Sequence, residues 1–196
     1  MKACILLGNT REPSNTEALT KIFADELAAK GFEIRQIALR EKNVQTCVGC
    51  DACHNIFETF GCVIKDDMQE IAMEILSSEL IIFTSPIYTW MPTPSLKAVM
   101  DRIYAFTKYP EKADPFNLLK KQRFAMIATS GDKWETNCDL FDETVRRMAN
   151  FAKLPYLGYF AASGLESGRI EKDIADGAKA FAEKCKESIK ILGGIS

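Results

Sequence analysis

The chain has 196 residues, of which 47% are hydrophobic and 27% are charged, and its formal net charge is −2. These values are typical of a globular chain that builds its core without disulfides, so residues 1–196 are predicted to form a single domain. We see no basic stripe, no membrane-length apolar segment and no targeting segment. We therefore expect no nucleic-acid partner, no membrane partner and a cytoplasmic location, where thiols stay reduced.

Apolar runs alternate with amphipathic segments along the chain, which predicts five strands and five helices. The predicted strands are Lys2–Leu7, Phe32–Leu39, Leu80–Thr84, Phe124–Thr129 and Tyr156–Ala162. The predicted helices are Thr16–Lys30, a segment that opens at Asp66 and Asp67, Ser95–Phe106, Leu140–Ala152 and Ile170–Leu192. This alternation indicates βαβ units, and therefore an α/β fold with a parallel sheet and helices on both faces. A long irregular connection is expected over Tyr109–Gln122.

The loop after the first strand carries a set of polar groups that suits a phosphate. In a doubly wound sheet, ligands bind beyond the carboxyl ends of the strands. Backbone N–H groups at a helix N-terminus and a charge-assisted arginine contact both stabilise phosphate. Ser14 and Glu17 also have the spacing of a capping box, which is the purely structural interpretation. The candidate phosphate ligands are Asn9, Arg11, Ser14, Asn15 and Thr16.

Four segments together resemble a known family. The stretch from Gly8 to Leu19 is similar to the GSxRxxSNTxxL flavin-phosphate loop of the NADPH-dependent FMN reductase family, within the flavodoxin-like superfamily. Asn9 stands where serine is usual, and an amide can also donate to phosphate. Further matches are Ser85–Tyr88, Thr129–Gly131, and Lys97 with Asp101 and Arg102. The resemblance implies a three-layer sandwich with strand order 2-1-3-4-5 that binds FMN, reduced by NAD(P)H.

The resemblance also implies which loops contact the flavin ring. The loop from Pro86 to Pro92 is aromatic and follows an apolar strand; its structural interpretation is a plug over the sheet end or a subunit contact. The residues expected to line the ring are Pro86, Ile87, Tyr88, Thr89, Trp90, Thr129, Ser130 and Gly131. No side chain is assigned to catalysis, since the flavin would carry the chemistry.

The predicted helix Ser95–Phe106 has two interpretations, an exposed ion pair and a dimer interface. Its residues Lys97, Asp101 and Arg102 favour an exposed ion pair, and Tyr104 is expected to face inward. In the family this helix often contributes to a dimer interface, so a homodimer or homotetramer is expected.

Four cysteines form the pattern C-x2-C-x2-C-x8-C at Cys47, Cys50, Cys53 and Cys62. We name residues 47–62 the cysteine loop. Its passage into Val63–Met68 resembles the iron–sulfur flavoprotein branch of the family. Three interpretations stay open: a [4Fe–4S] cluster, zinc or a thiol switch, and thiols without metal. His54 is expected to be an incidental surface residue, and the other cysteines, Cys4, Cys138 and Cys185, to be structural.

Three function classes follow. The first is an oxidoreductase that passes electrons from NAD(P)H through FMN to an unknown acceptor. The second is an electron-transfer module, fed by a ferredoxin-like partner through a cluster, with no nicotinamide activity. The third is a flavodoxin-like scaffold with an empty site, which the phosphate-type loop disfavours.

Overall fold

The computed structural model describes residues 1–166 and 169–193 of the chain. Its strands are β1 (Lys2–Leu7), β2 (Glu33–Ala38), β3 (Leu80–Pro86), β4 (Thr107–Lys108), β5 (Phe116–Asn117), β6 (Arg123–Ser130) and β7 (Tyr156–Ser163). Its helices are α1 (Asn15–Ala29), α2 (Met68–Ser77), α3 (Pro94–Arg102), α4 (Trp134–Asn137), α5 (Asp139–Ala152) and α6 (Lys172–Gly193). The single-domain prediction also covers residues 167, 168 and 194–196, which lie outside the described residues.

The five long strands form one parallel sheet in the order β2-β1-β3-β6-β7. Counting only these strands, the order is 2-1-3-4-5, which confirms the predicted flavodoxin-like topology. The central strands β1, β3 and β6 are almost entirely buried, whereas the edge strand β2 exposes half of its residues. This burial explains why the central strands read as continuous apolar runs in the sequence.

Helices cover both faces of the sheet and divide the core into two layers. One layer packs α1 and α6 against the sheet around Phe23, Leu27 and Phe181. The other packs α2, α3 and α5 against the opposite face around Ile71, Val99 and Phe141. Cys4, Cys138 and Cys185 are buried in these layers, as predicted.

Three local features differ from the sequence prediction. Part of the expected irregular connection forms a short antiparallel hairpin, β4–β5, where Thr107 pairs with Asn117. The short helix α4 lies between β6 and α5, and α3 ends at Arg102 before a 3₁₀ turn over Ile103–Phe106. Such short elements leave little hydrophobic periodicity, so the pattern along the chain does not reveal them.

The Ser14–Glu17 spacing does not form a capping box, because Ser14 precedes α1 without a side-chain hydrogen bond to it. Asp67 and Glu70 have the same spacing at the start of α2, and Asp67 likewise makes no side-chain cap. Asp66 takes that role instead, because its Oδ1 accepts from the Met68 N–H at 3.1 Å. Glu70 forms an ion pair with Lys42 at 2.7 Å. Its carboxylate therefore points to Lys42 and does not cap the helix.

In the described part of the chain, no helix combines the length and apolarity that crossing a bilayer requires.

Candidate functional site

Four strand ends meet at the carboxyl edge of the sheet and enclose a cavity of about 290 Å³. The loops after β1, β3 and β6 contribute all the predicted flavin residues except Thr89 and Trp90. The lining residues are Asn9, Thr10, Arg11, Ser14, Asn15, Thr16, Pro86, Ile87, Tyr88, Thr129, Ser130, Gly131, Gly164 and Leu165. Sequence reasoning missed Gly164 and Leu165; the pairing of Ser130 with Ser163 brings the loop after β7 beside the loop after β6.

The loop between β1 and α1 leaves several phosphate-binding groups available. The side chain of Ser14 does not cap α1, so the N–H groups of its first turn meet the cavity without that partner. Arg11 is exposed, and among the described residues its guanidinium has no ion-pair or hydrogen-bond partner. A helix N-terminus beside an unpaired arginine is a favourable place for an anion.

Asn9 plays a different part from the one that the family resemblance implies. It is almost fully buried, and its side-chain Nδ2 donates to the Arg11 carbonyl at 2.9 Å and to Glu17 at 3.0 Å. Its Oδ1 accepts from Arg40 Nη1 at 3.3 Å. Both donor hydrogens are therefore used to shape the loop, which leaves the backbone of Asn9 as the part that faces the cavity.

Buried hydroxyl groups lock the loops of the site to one another. Thr93 Oγ1 donates to the Gly8 carbonyl at 2.7 Å, and the Thr93 N–H donates to Ser85 Oγ at 3.0 Å. Across the cavity floor, Thr16 and Thr129 share a hydrogen bond of 2.6 Å. A Cβ at Gly8 would lie 2.9 Å from the Thr84 carbonyl, so this position requires glycine. The site is thus rigid before any ligand binds.

The loop after β3 ends in a tight turn that carries two exposed aromatic side chains. The N–H of Tyr88 donates to the Met91 carbonyl at 2.9 Å, and the N–H of Met91 donates back at 3.1 Å. Thr89 and Trp90 lie between them with φ of 50° and 62°. Tyr88 OH meets Thr10 Oγ1 at 2.9 Å and so joins this turn to the β1–α1 loop. Trp90 is 51% exposed beside the cavity and does not line it.

The residues present fit a ligand with one phosphate and a flat ring. The phosphate-type groups lie at the α1 end of the cavity, whereas Pro86, Ile87 and Tyr88 form its apolar wall. A Cβ built on Gly131 would meet nothing within 4 Å, so the floor beside β6 is open for close approach of a ligand.

The cysteine loop packs against β4 and the 3₁₀ turn Ile103–Phe106, and none of its residues lines this cavity. Cys47 and Cys50 are exposed, while Cys53 and Cys62 are half-buried against the core. In residues 1–166 and 169–193 no three Cys, His, Asp or Glu side chains are grouped so that they could hold a metal ion. The four cysteines thus do not fit a cluster as they stand. Burial raises the pKa of Cys53, although Lys108 nearby lowers it in part.

Three predictions near the cysteine loop are corrected by the structure. Arg102 is 1% exposed and turns into the cysteine loop, so only Lys97 and Asp101 form the exposed ion pair, at 2.6 Å. Tyr104 is 41% exposed because α3 has ended before it. His54 is half-buried between the rings of Tyr104 and Tyr109, with centroids 4.8 and 4.6 Å away, and is not a surface residue.

Residues 1–141 match the family model of NADPH-dependent FMN reductase. The chain belongs to this family. The matched range includes the loops after β1, β3 and β6, and therefore most of the cavity lining.

Two curated proteins illustrate the relationship within the FMN reductase family. An iron-sulfur flavoprotein of Archaeoglobus fulgidus is 31% identical over 110 residues, which is 56% of this chain and 49% of that protein. The putative NAD(P)H-dependent FMN-containing oxidoreductase YwqN of Bacillus subtilis is 25% identical over 173 residues, 88% of this chain and 91% of that protein. The chain thus spans about half the length of the iron-sulfur relative and nearly the whole of the oxidoreductase.

The fold is also shared with solved structures. The NAD(P)H:quinone oxidoreductase from Methanothermobacter marburgensis superposes with a TM-score of 0.71 at 14% identity, over 94% of this chain and 96% of that one. At this identity the likeness shows the flavodoxin-like fold alone.

Proposed function

We propose that this member of the FMN reductase family is an FMN-dependent NAD(P)H oxidoreductase. It would take electrons from a reduced nicotinamide and pass them to an acceptor that is still to be identified. The observation that carries the proposal is the unpaired Arg11 beside the uncapped start of α1, in a cavity that Pro86 and Ile87 line on another side. The family match supports the same ligand.

The residues of the chain would bind and orient the cofactor. Arg11, Ser14 and the first-turn N–H groups of α1 would hold the phosphate through charge-assisted hydrogen bonds. Pro86 and Ile87 would pack against the ring, and the backbone beside Gly131 would approach its other side. When bound, FMN would supply the group that accepts and donates the hydride. The chain itself would contribute a rigid, pre-formed cavity, since Thr93 and Thr16 lock its loops.

The phosphate role of Arg11 can be separated from ring binding. We expect Arg11→Met to weaken FMN binding about 10- to 100-fold, since a hydrogen bond to a charged group contributes about 1.5–3 kcal/mol. Riboflavin lacks the phosphate, so its affinity should not change. Both are measured by flavin fluorescence titration of the purified chain, with Arg147→Met, an exposed arginine on α5, as the control. Equal loss for FMN and riboflavin would contradict the phosphate role.

The electron donor distinguishes this proposal from the second candidate, an electron-transfer module without nicotinamide activity. The name of the Archaeoglobus relative supports that candidate, whereas the name of the Bacillus relative supports the oxidoreductase. The FMN-loaded chain should lose its flavin absorbance within seconds when NADH or NADPH is added without oxygen. Absorbance that persists with both nucleotides, but falls with a reduced ferredoxin, would favour the module.

We also propose that the chain acts as a homodimer or homotetramer. The surface of α5 and of the 3₁₀ turn after α3 supports this, because Tyr104, Leu140 and Phe151 remain 41%, 51% and 54% exposed there. Sedimentation equilibrium tests it, with Phe151→Lys expected to shift the assembly toward the monomer.

A further inference from the structure

The buried guanidinium of Arg102 organises the second half of the cysteine loop. Its Nη1 donates to Asp66 at 2.5 Å and to the Gln45 carbonyl at 3.3 Å. Its Nη2 donates to Cys62 Sγ at 3.3 Å and to the Ile64 carbonyl at 3.4 Å. Both charged side chains of the pair are essentially inaccessible to solvent. One side chain from α3 therefore joins both ends of the loop to the start of α2.

The buried ammonium of Lys108 holds two further points of the loop, at Cys53 and Phe60. Its three N–H donors reach the carbonyls of Cys53 at 2.9 Å, Phe60 at 3.1 Å and Ala105 at 2.7 Å. The donors of this fully buried cation are thus all used by backbone carbonyls, two of which belong to the cysteine loop. A Cβ at Gly61, whose φ is +72°, would lie 3.2 Å from the ammonium and 2.8 Å from Ile56, so glycine is required where the loop closes over the lysine.

These contacts fix the turns of the cysteine loop, which is the structural role that a metal centre would have there. A [4Fe–4S] cluster draws four thiolates to one centre and so fixes the turns between them. Here the turns are fixed by cations: Cys62 Sγ accepts a hydrogen bond from Arg102, and the carbonyl of Cys53 accepts one from Lys108. Cys47 and Cys50 remain exposed, and no described group of three potential ligands converges. The Cys62 sulfur and the carbonyls of Cys53 and Phe60 are thus already engaged by the two buried cations.

We propose that the cysteine loop folds without any metal, with Arg102 and Lys108 as the side chains that hold it, and with Cys62 as a hydrogen-bond acceptor for Arg102. The iron-sulfur relatives match this chain over about half of their length, and this chain would differ from them in what stabilises the loop. The proposal does not depend on which electron donor the flavin site uses.

The first test uses the unaltered chain and needs no variant to fold. Cells supplied with iron and sulfide are lysed without oxygen, and the purified chain is assayed for iron, sulfide and zinc. We expect less than about 0.1 of each per chain, and an unchanged unfolding temperature in excess EDTA. About four iron and four sulfide ions per chain, or about one zinc ion, would overturn the proposal.

The second test compares the effect of replacing a buried cation with the effect of replacing two cysteines. The quantity measured is the rate of proteolytic cleavage within the loop. Chymotrypsin cuts after Phe57 faster when this segment detaches from Phe116 and fits the protease, so the rate of cleavage there reports loop stability. We expect Lys108→Met to raise this rate at least about tenfold. Lys121→Met, an exposed lysine, and the double change Cys47→Ser with Cys50→Ser should leave it within about twofold. A double serine variant cleaved as fast as Lys108→Met would contradict the proposal, as would a Lys108→Met chain cleaved at the unaltered rate.

Discussion

The cavity at the sheet edge and the cysteine loop are both rich in polar groups, but they use those groups in opposite ways. In the cavity, the Arg11 guanidinium has no partner among the described residues, and the Ser14 side chain does not cap the start of α1. In the loop, Arg102 and Lys108 are buried and hydrogen-bonded to carbonyls, a carboxylate and a thiol. An exposed arginine without a partner indicates where a ligand would bind, whereas buried cations that hydrogen-bond within the chain indicate how the chain holds its shape.

Among the changes that test this difference, replacement of Asp66 should have the largest effect on stability. The change Asp66→Asn leaves the buried Arg102 without its counter-ion, and breaking such a pair costs about 3–5 kcal/mol. We expect the free energy of unfolding, measured by urea denaturation, to fall by about that amount. The control is Asp101→Asn, which breaks the exposed pair with Lys97 and should cost less than about 1 kcal/mol. Equal effects would show that burial of the pair does not matter.

Two glycines of the cavity allow stability and binding to be separated. A Cβ at Gly8 would meet the Thr84 carbonyl and Thr93 Oγ1 at 2.9 Å, whereas one at Gly131 would meet nothing within 4 Å. We expect Gly8→Ala to lower the free energy of unfolding by about 1–3 kcal/mol, through overpacking.

The matched change, Gly131→Ala, should leave the stability of the flavin-free chain unchanged and weaken FMN binding, because its methyl group enters the open floor of the cavity. Urea denaturation and flavin fluorescence titration measure the two quantities. A Gly131→Ala chain that binds FMN normally would remove this part of the floor from the binding site.

The sequence predicts the cavity far better than the loop, for a physical reason. Arg11, Ser14 and Thr129 follow apolar strands, and the carboxyl ends of parallel strands meet at one edge, so local pattern places them together. Arg102 contacts Asp66 from 36 positions away, and the two side chains meet only through the packing of α3 beside the segment that leads into α2. An arginine that helix spacing assigns to the surface is therefore almost fully buried against the cysteine loop, and no local pattern indicates it.

The same pair should make the chain sensitive to acid. Burial raises the pKa of Asp66, but hydrogen bonds from Arg102 and from the N–H groups of Gln45 and Met68 outweigh it, so the pKa is lowered overall. A carboxyl whose folded pKa is depressed stabilises the fold above its unfolded pKa, and this contribution disappears as pH falls through the folded value.

We expect the unfolding temperature to drop below about pH 4, the ordinary pKa of an aspartate, and to drop less in Asp66→Asn. Thermal melts between pH 7 and pH 2 measure this. If the unfolding temperatures of the two chains fall in parallel as the pH is lowered, other carboxylates cause the sensitivity to acid.

The smallest effect concerns the turn at Thr89 and Trp90, at the rim of the cavity. Both residues have left-handed φ values, which cost about 1–2 kcal/mol for residues with a Cβ, and two-residue turns of this kind favour Asn-Gly. Replacing Thr89→Asn with Trp90→Gly should therefore raise the free energy of unfolding by about 1 kcal/mol. Thr89→Asn with Trp90→Ala also removes the indole but keeps a Cβ at φ 62°, so it should be less stable than the glycine variant. If both pairs are equally stable, the turn stores no backbone strain. If the glycine variant is more stable but binds FMN less well, the strain is the cost of presenting Trp90 beside the cavity.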